Sequence, residues 1–150
     1  MADEFGNLNT SSRIPIFDNE DEIDKAASQF KSGKPEAYLL YNGTEEYRDE
    51  NNIDKINSVI NCDILIYFIV KDTQGQENDR VQEQIRLKNV VLNAIYTDRT
   101  RDSNATTLVV DGEAIWGTEV GEITTEEIKA PMFKMRIPVK CSFQHTATGR

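Results

Sequence analysis

The sequence predicts one α+β domain whose mainly antiparallel or mixed sheet carries one long and one short helix packed on one face. Three observations predict it. Residues 132–143 alternate, with Phe133, Met135, Ile137, Val139, Cys141 and Phe143 on one side and Lys134, Arg136, Pro138, Lys140 and Ser142 on the other, the period of a half-buried strand. Ile64, Leu65, Ile66, Tyr67, Phe68, Ile69 and Val70 form an unbroken apolar run, too short for a buried helix, that reads as a central strand covered above and below. Residues 77–98 place Val81, Ile85, Leu92, Ile95 and Tyr96 on one helical face, with Val91 at its margin and Gln82, Arg86, Asn89 and Asn93 opposite. Lys88 falls inside that apolar stripe and has to snorkel.

The remaining elements follow in chain order. Residues 1–12 are polar and Gly/Asn/Ser/Thr-rich, which predicts a flexible arm ordered by contact with something else. Ile14, Pro15, Ile16 and Phe17 form a short extended segment, and Pro15 restricts it to a sheet edge or bulge. Asp18 is the expected N-cap of a short helix reaching about Lys31, with Glu20, Asp21 and Glu22 where the helix dipole favours negative charge. A strand from Ala37 to Tyr41 closes on an Asn42-Gly43 turn, and residues 45–55 read as an acidic loop or hairpin tip. Past the long helix come extended segments at 106–116 and 128–145, with Gly112, Gly117 and Gly121 at turns or bulges. The expected organisation is an arm over 1–12, a domain over 13–145 and a flexible tail over 146–150.

The chain of 150 residues suits one hydrophobic core, and 38% hydrophobic with 29% charged residues suits a folded, well-solvated domain. A net charge of −9 argues against wrapping nucleic acid, which needs clustered Lys and Arg. Cys62 and Cys141 lack the short spacing of zinc or redox motifs and read as buried reduced thiols. The N-terminal residues lack the pattern of a signal peptide, and no apolar run approaches a membrane span of roughly 20 residues. The chain is therefore expected inside the cell, away from membranes, with the sequons at Asn9, Asn42 and Asn104 chance matches.

Chemistry is sparsely signalled. The one histidine, His145, stands in a polar tail, and no phosphate loop, dinucleotide turn or calcium loop occurs. We expect neither an enzyme nor a cofactor or metal site. Glu45, Glu46, Asp49 and Glu50 form paired carboxylates in a polar stretch, best read as solvated or as an interface. Trp116 packs in the core or anchors an interface. Lys134, Arg136 and Lys140 make a basic stripe that meets an acidic neighbour, faces passing DNA, or is an ordinary solvated face.

The order of segments resembles a known family. It runs from Ile14-Pro15-Ile16-Phe17 through a charged spacer, Lys34-Pro35-Glu36-Ala37-Tyr38-Leu39-Leu40, an acidic tip and the apolar strand over 63–71. The amphipathic helix over 81–96, Thr107-Leu108-Val109-Val110 and the closing strand over 132–143 complete it. Over roughly residues 13–145 this is similar to the tail terminator proteins of long-tailed phages and related contractile particles, although members often begin with a helix where this chain has its arm. The resemblance implies an α/β sandwich and a homo-hexameric ring on the head-proximal end of the tail tube, which stops tube polymerisation and offers a head-joining surface. It implies as partners the tail tube protein, a head-completion or connector protein, a sheath protein where the tail contracts, and DNA only as passing cargo. The expected location is the tail or neck of the virion, assembled in the host cytoplasm. The alternatives are another neck or connector ring, or a small cytosolic enzyme or ligand-binding domain.

Overall fold

The apolar run near the middle of the chain has to bury both of its faces, and the architecture follows from that demand. The computed structural model describes residues 4–8, 14–29, 33–48, 55–70, 76–97, 107–110, 112–124 and 129–146. The elements are β1 (Ile16–Phe17), α1 (Glu20–Ala27), β2 (Glu36–Arg48), β3 (Lys55–Ile69), α2 (Gln76–Thr97), β4 (Thr107–Val110), β5 (Ile115–Thr124) and β6 (Lys129–Thr146), preceded by a 3-10 turn at Gly6–Leu8. They build a six-stranded mixed sheet of order β1-β2-β3-β6-β4, with β5 also paired to β6. All pairings are antiparallel except the short β1–β2 contact. The α+β class and the mainly antiparallel sheet thus match the sequence reading.

The placement of the helices does not. Cys62, Ile64, Ile66 and Phe68 of β3 join Phe133, Met135, Ile137 and Val139 of β6 and Leu87, Val91 and Ile95 of α2 in one core. Leu65 and Tyr67, one residue out of phase, join Ile23 and Ala27 of α1 with Tyr38, Leu40 and Met132 in a second. The period of two in a strand sends these sets to opposite faces, so the helices cover opposite faces rather than one.

Several local expectations change for physical reasons. The arm is not loose over its middle: Phe5 and Leu8 are fully buried in the α2-side core. Asn7 holds the backbone of Ala37 from both sides, donating to its carbonyl at 2.8 Å and accepting from its N–H at 3.1 Å. A run of polar residues hid two apolar anchors and an amide that acts as a strand partner. Asn19, not Asp18, caps α1 by accepting from Asp21 N–H at 2.8 Å, and the helix stops at Ala27. Gly43 does not turn the chain; with φ of 121° it forms a bulge that lets β2 run on to Arg48. The expected loop over 45–55 is therefore strand at 45–48 and at 55, paired from Glu45↔Val59 to Arg48↔Ile56. His145 lies not in a tail but in β6, opposite Ile56. Residues 1–3, 9–13 and 147–150 lie outside the described residues.

The helix α2 is rolled relative to the expected stripe. Gln84, Leu87, Val91 and Ile95 face the sheet, while Ile85 is 45% and Tyr96 50% exposed. The cause sits in β5. Its register slips between Ile115 and Thr118, and the Gly117 peptide is served by α2 instead. Gln84 Oε1 accepts from Gly117 N–H at 2.5 Å, and Arg80 donates to the Gly117 carbonyl at 2.6 Å while lying 5.7 Å from the Phe133 ring centroid.

Candidate functional site

The short helix brings two kinds of side chain to the sheet. Positions 20, 23, 24 and 27 recur at helical spacing, so Ile23 and Ala27 enter the core on the same side as Glu20 and Asp24. Opposite them, the alternation of β6 presents Lys134 and Arg136 two residues apart. Lys134 Nζ stands 2.7 Å from Glu20 and 2.9 Å from Asp24; Arg136 reaches Glu20 at 2.5 Å and Asp63 of β3 at 2.7 Å. The Tyr67 hydroxyl donates to Asp24, and Lys134 Nζ lies 5.8 Å from the Tyr67 ring centroid. Tyr38 packs edge-on to Tyr67 at 5.8 Å and donates from its hydroxyl to Glu36 at 2.7 Å.

The electrostatics follow from these contacts. Hydrogen bonds from Lys134 and then Arg136 hold the Glu20 carboxyl below its usual range against the opposing effect of burial. Burial lowers Lys134 and Arg136, but the carboxylates beside each outweigh it and leave both above their ordinary values. Burial pushes Tyr67 and Tyr38 up, and their carboxylate neighbours push further. Glu36 goes the other way from Glu20, raised by burial with only the Tyr38 hydroxyl to offset it. Burial also raises the Cys62 thiol, which disfavours the reactive thiolate.

The basic stripe is thus divided. Lys134 and Arg136 meet an acidic neighbour inside their own chain, the first turns of α1. Lys140 is half-buried further along β6, in register with Asn61 and Val109. Glu45 and Glu46 lie exposed on the far half of β2, with Glu46 accepting from Ser58 at 3.3 Å. Asp49 and Glu50 lie outside the described residues, as does the side chain of Trp116, whose backbone belongs to β5. The candidates do not converge on one place. Sequence reading missed Glu20, Asp24 and Asp63 as partners, although two acids at i, i+4 and two bases at i, i+2 form a matched spacing.

Among the described residues, no group of three or more His, Cys, Asp or Glu side chains is placed to hold a metal ion, and no helix is long and apolar enough to cross a membrane. What the arrangement does chemically is neutralise a half-buried charged layer and fix α1 to the sheet. The other conspicuous surface is the far half of β2, where residues 44–48 are all exposed and Tyr47 is 57% exposed. No protein-family model matches the chain, and no curated protein matches it significantly.

Proposed function

We propose that this chain is a phage tail terminator: a structural virion protein that forms a ring on the head-proximal end of the tail tube, ends tube growth and receives the head. The observation that carries the reading is the long β2–β3 hairpin, whose strand pairing runs from Glu36↔Tyr67 to Arg48↔Ile56 while the outer half of β2 stays exposed. A sheet edge this long, covered by β1 only at Leu39 and Leu40 among the described residues, is costly to leave open, and a subunit built to be completed by others explains it.

Charge supports the same reading. The formal charge is −9, and α1 neutralises two of the three cations that stood out in β6, Lys134 and Arg136. Such a surface lets DNA pass without adsorbing, because like charge repels phosphate at close range. The order of segments, similar to that of the terminator family, supports it independently. In this reading the partners are further copies of the chain, the tube protein and a head-side connector.

The test is removal of the coding sequence from the phage that carries it, with electron microscopy of the particles. We expect free heads beside headless tails of excessive or uncapped length, and a label on the chain at the head-proximal tail end. Tails of normal length joined to heads in its absence refute the proposal. A label elsewhere in the neck reassigns the chain to another connector ring.

A further inference from the structure

The far half of the sheet forms complete rows across four strands. Tyr41 pairs with Cys62, Cys62 with Val139 and Val139 with Val110. The next rows run Gly43, Asn61, Lys140, Val109; then Thr44, Ile60, Cys141, Leu108; then Glu45, Val59, Ser142, Thr107. Each row begins on β2 and ends on β4. On the β2 side, β1 reaches only Leu39 and Leu40, immediately before these rows begin. Among the described residues, no strand pairs with the outer side of residues 41–47 or with the outer side of β4.

Two open edges at one level are complementary in direction. All three pairings across the rows are antiparallel, so β2 and β6 run one way and β3 and β4 the other. Rotating a copy about an axis roughly along the strands keeps every strand direction. The β2 of that copy then meets β4 of the first in antiparallel sense, and the alternation continues unbroken. Because the two edges differ, the contact is head-to-tail, the kind that closes into a ring.

Charge weighs against one symmetrical alternative, β2 with β2. The β2 edge carries Glu45 and Glu46, both exposed, so two β2 edges set side by side bring carboxylates together, which destabilises a sheet. The β4 edge, Thr107–Val110, carries no charged residue. The bulge at Gly43 and the acidic pair are also devices that deter unselective strand addition.

We propose that copies of this chain join edge to edge, residues 41–47 of β2 pairing antiparallel with β4 of the next copy, so that the ring contains one continuous sheet with four strands from each subunit in these rows. The proposal deepens the ring reading above and rests on it for the expectation that copies of the chain meet.

The experiment is oxidative cross-linking of the purified full chain at about millimolar concentration, with native mass spectrometry alongside. Three double variants share the work. Thr44→Cys with Leu108→Cys and Glu45→Cys with Thr107→Cys sample the two faces in the register that continues the rows, and Glu46→Cys with Leu108→Cys samples a register two residues further. Circular dichroism checks that each folds, and the native chain under the same oxidant gives the background from Cys62 and Cys141.

At least one double variant is expected to give a reducible ladder ending at the ring number, with most of the protein in multimers. A mixture of the two matching single variants then stops at dimers, and neither single variant alone cross-links. Dimers from Glu45→Cys alone, multimers without cross-links in all three folded pairs, or a monomer throughout overturn the proposal. Particle imaging is separate: a labelled ring at the tail end without these cross-links sinks the edge pairing and spares the terminator, and the converse spares the edge pairing.

Discussion

Replacing Gly117 by alanine tests how α2 is seated on the sheet. A Cβ there would drive into Gln84 Oε1 and approach the Phe68 ring at 3.2 and 3.3 Å, closer than ordinary contact. Gly117 does not occupy the left-handed region, so backbone strain contributes nothing and the cost is steric and polar. Overpacking costs about 1–3 kcal/mol, and forcing Gln84, 1% exposed, off the Gly117 N–H leaves buried polar groups unsatisfied at about 1–3 kcal/mol more. The total of roughly 2–6 kcal/mol corresponds to a fall in Tm of about 4–24 °C for a domain of this size. Thermal circular dichroism gives that number, and urea unfolding with an unchanged slope confirms that the native state carries it. Gln84→Ala alone loses only the hydrogen bond and some packing, about 1–3 kcal/mol. In the Gly117→Ala background it should cost less, because it removes the atom the new methyl strikes. A Gly117→Ala chain melting within about 2 °C of the parent, or strict additivity in the double variant, refutes this account of the α2 contact.

Three further outcomes are expected. Phe5→Ala should destabilise the isolated chain by about 3–5 kcal/mol, since its ring is fully buried; an unchanged Tm would mean the segment is not docked. Lys134→Met should cost about 1–3 kcal/mol by leaving Glu20 and Asp24 short of a cation at a half-exposed site, a loss that urea unfolding at neutral pH resolves and that moderate salt should shrink. Glu20 and Glu36 should bend the pH profile in opposite senses. The folded-state pKa of Glu20 is depressed, so its contribution is present above the ordinary value of 4.5 and fades as pH falls through the folded pKa; Glu20→Gln should flatten the acid limb of stability against pH. The pKa of Glu36 is raised, so its contribution is present below 4.5 and fades as pH rises through the folded pKa; Glu36→Gln should raise Tm at neutral pH and leave it unchanged near pH 4.

The strong periodicities were legible and the polar contacts were not. The central position of β3, the strand at 132–143, the edge role of the Pro15 segment and the extent of α2 all follow from apolar spacing, which decides burial directly. The two-sided placement of the helices was half-legible: β3 demanded two covers, yet the charge on the second face of β6 left an acidic neighbour, passing DNA and plain solvation all open. The cover there is α1, whose acids neutralise Lys134 and Arg136, and that match becomes visible only once strand and helix are brought together. The roll of α2 escaped for a similar reason, because Arg80 and Gln84 look solvent-bound until the slipped peptide of β5 supplies their partners. Phe5 and Leu8 were too few to make a pattern. Of the candidate residues, Lys134 and Arg136 proved joined to one another through Glu20, and Glu45 and Glu46 lie on the extended edge of β2.

The final strand in chain order imposes a timetable on folding. Along one side β6 pairs with β3 from Ile69↔Met132 to Lys55↔Thr146, and along the other it carries β5 and then β4. Before it arrives, β4 and β5 have no strand to join, and β1, β2 and β3 make a fragment lacking the apolar wall of Phe133, Met135, Ile137 and Val139. Its contacts reach back across most of the polypeptide, so closing them carries the entropic delay of distant pairings. The helices and the β2–β3 pair can form earlier, but the sheet is complete only once residues 129–146 are there to join β3, β4 and β5.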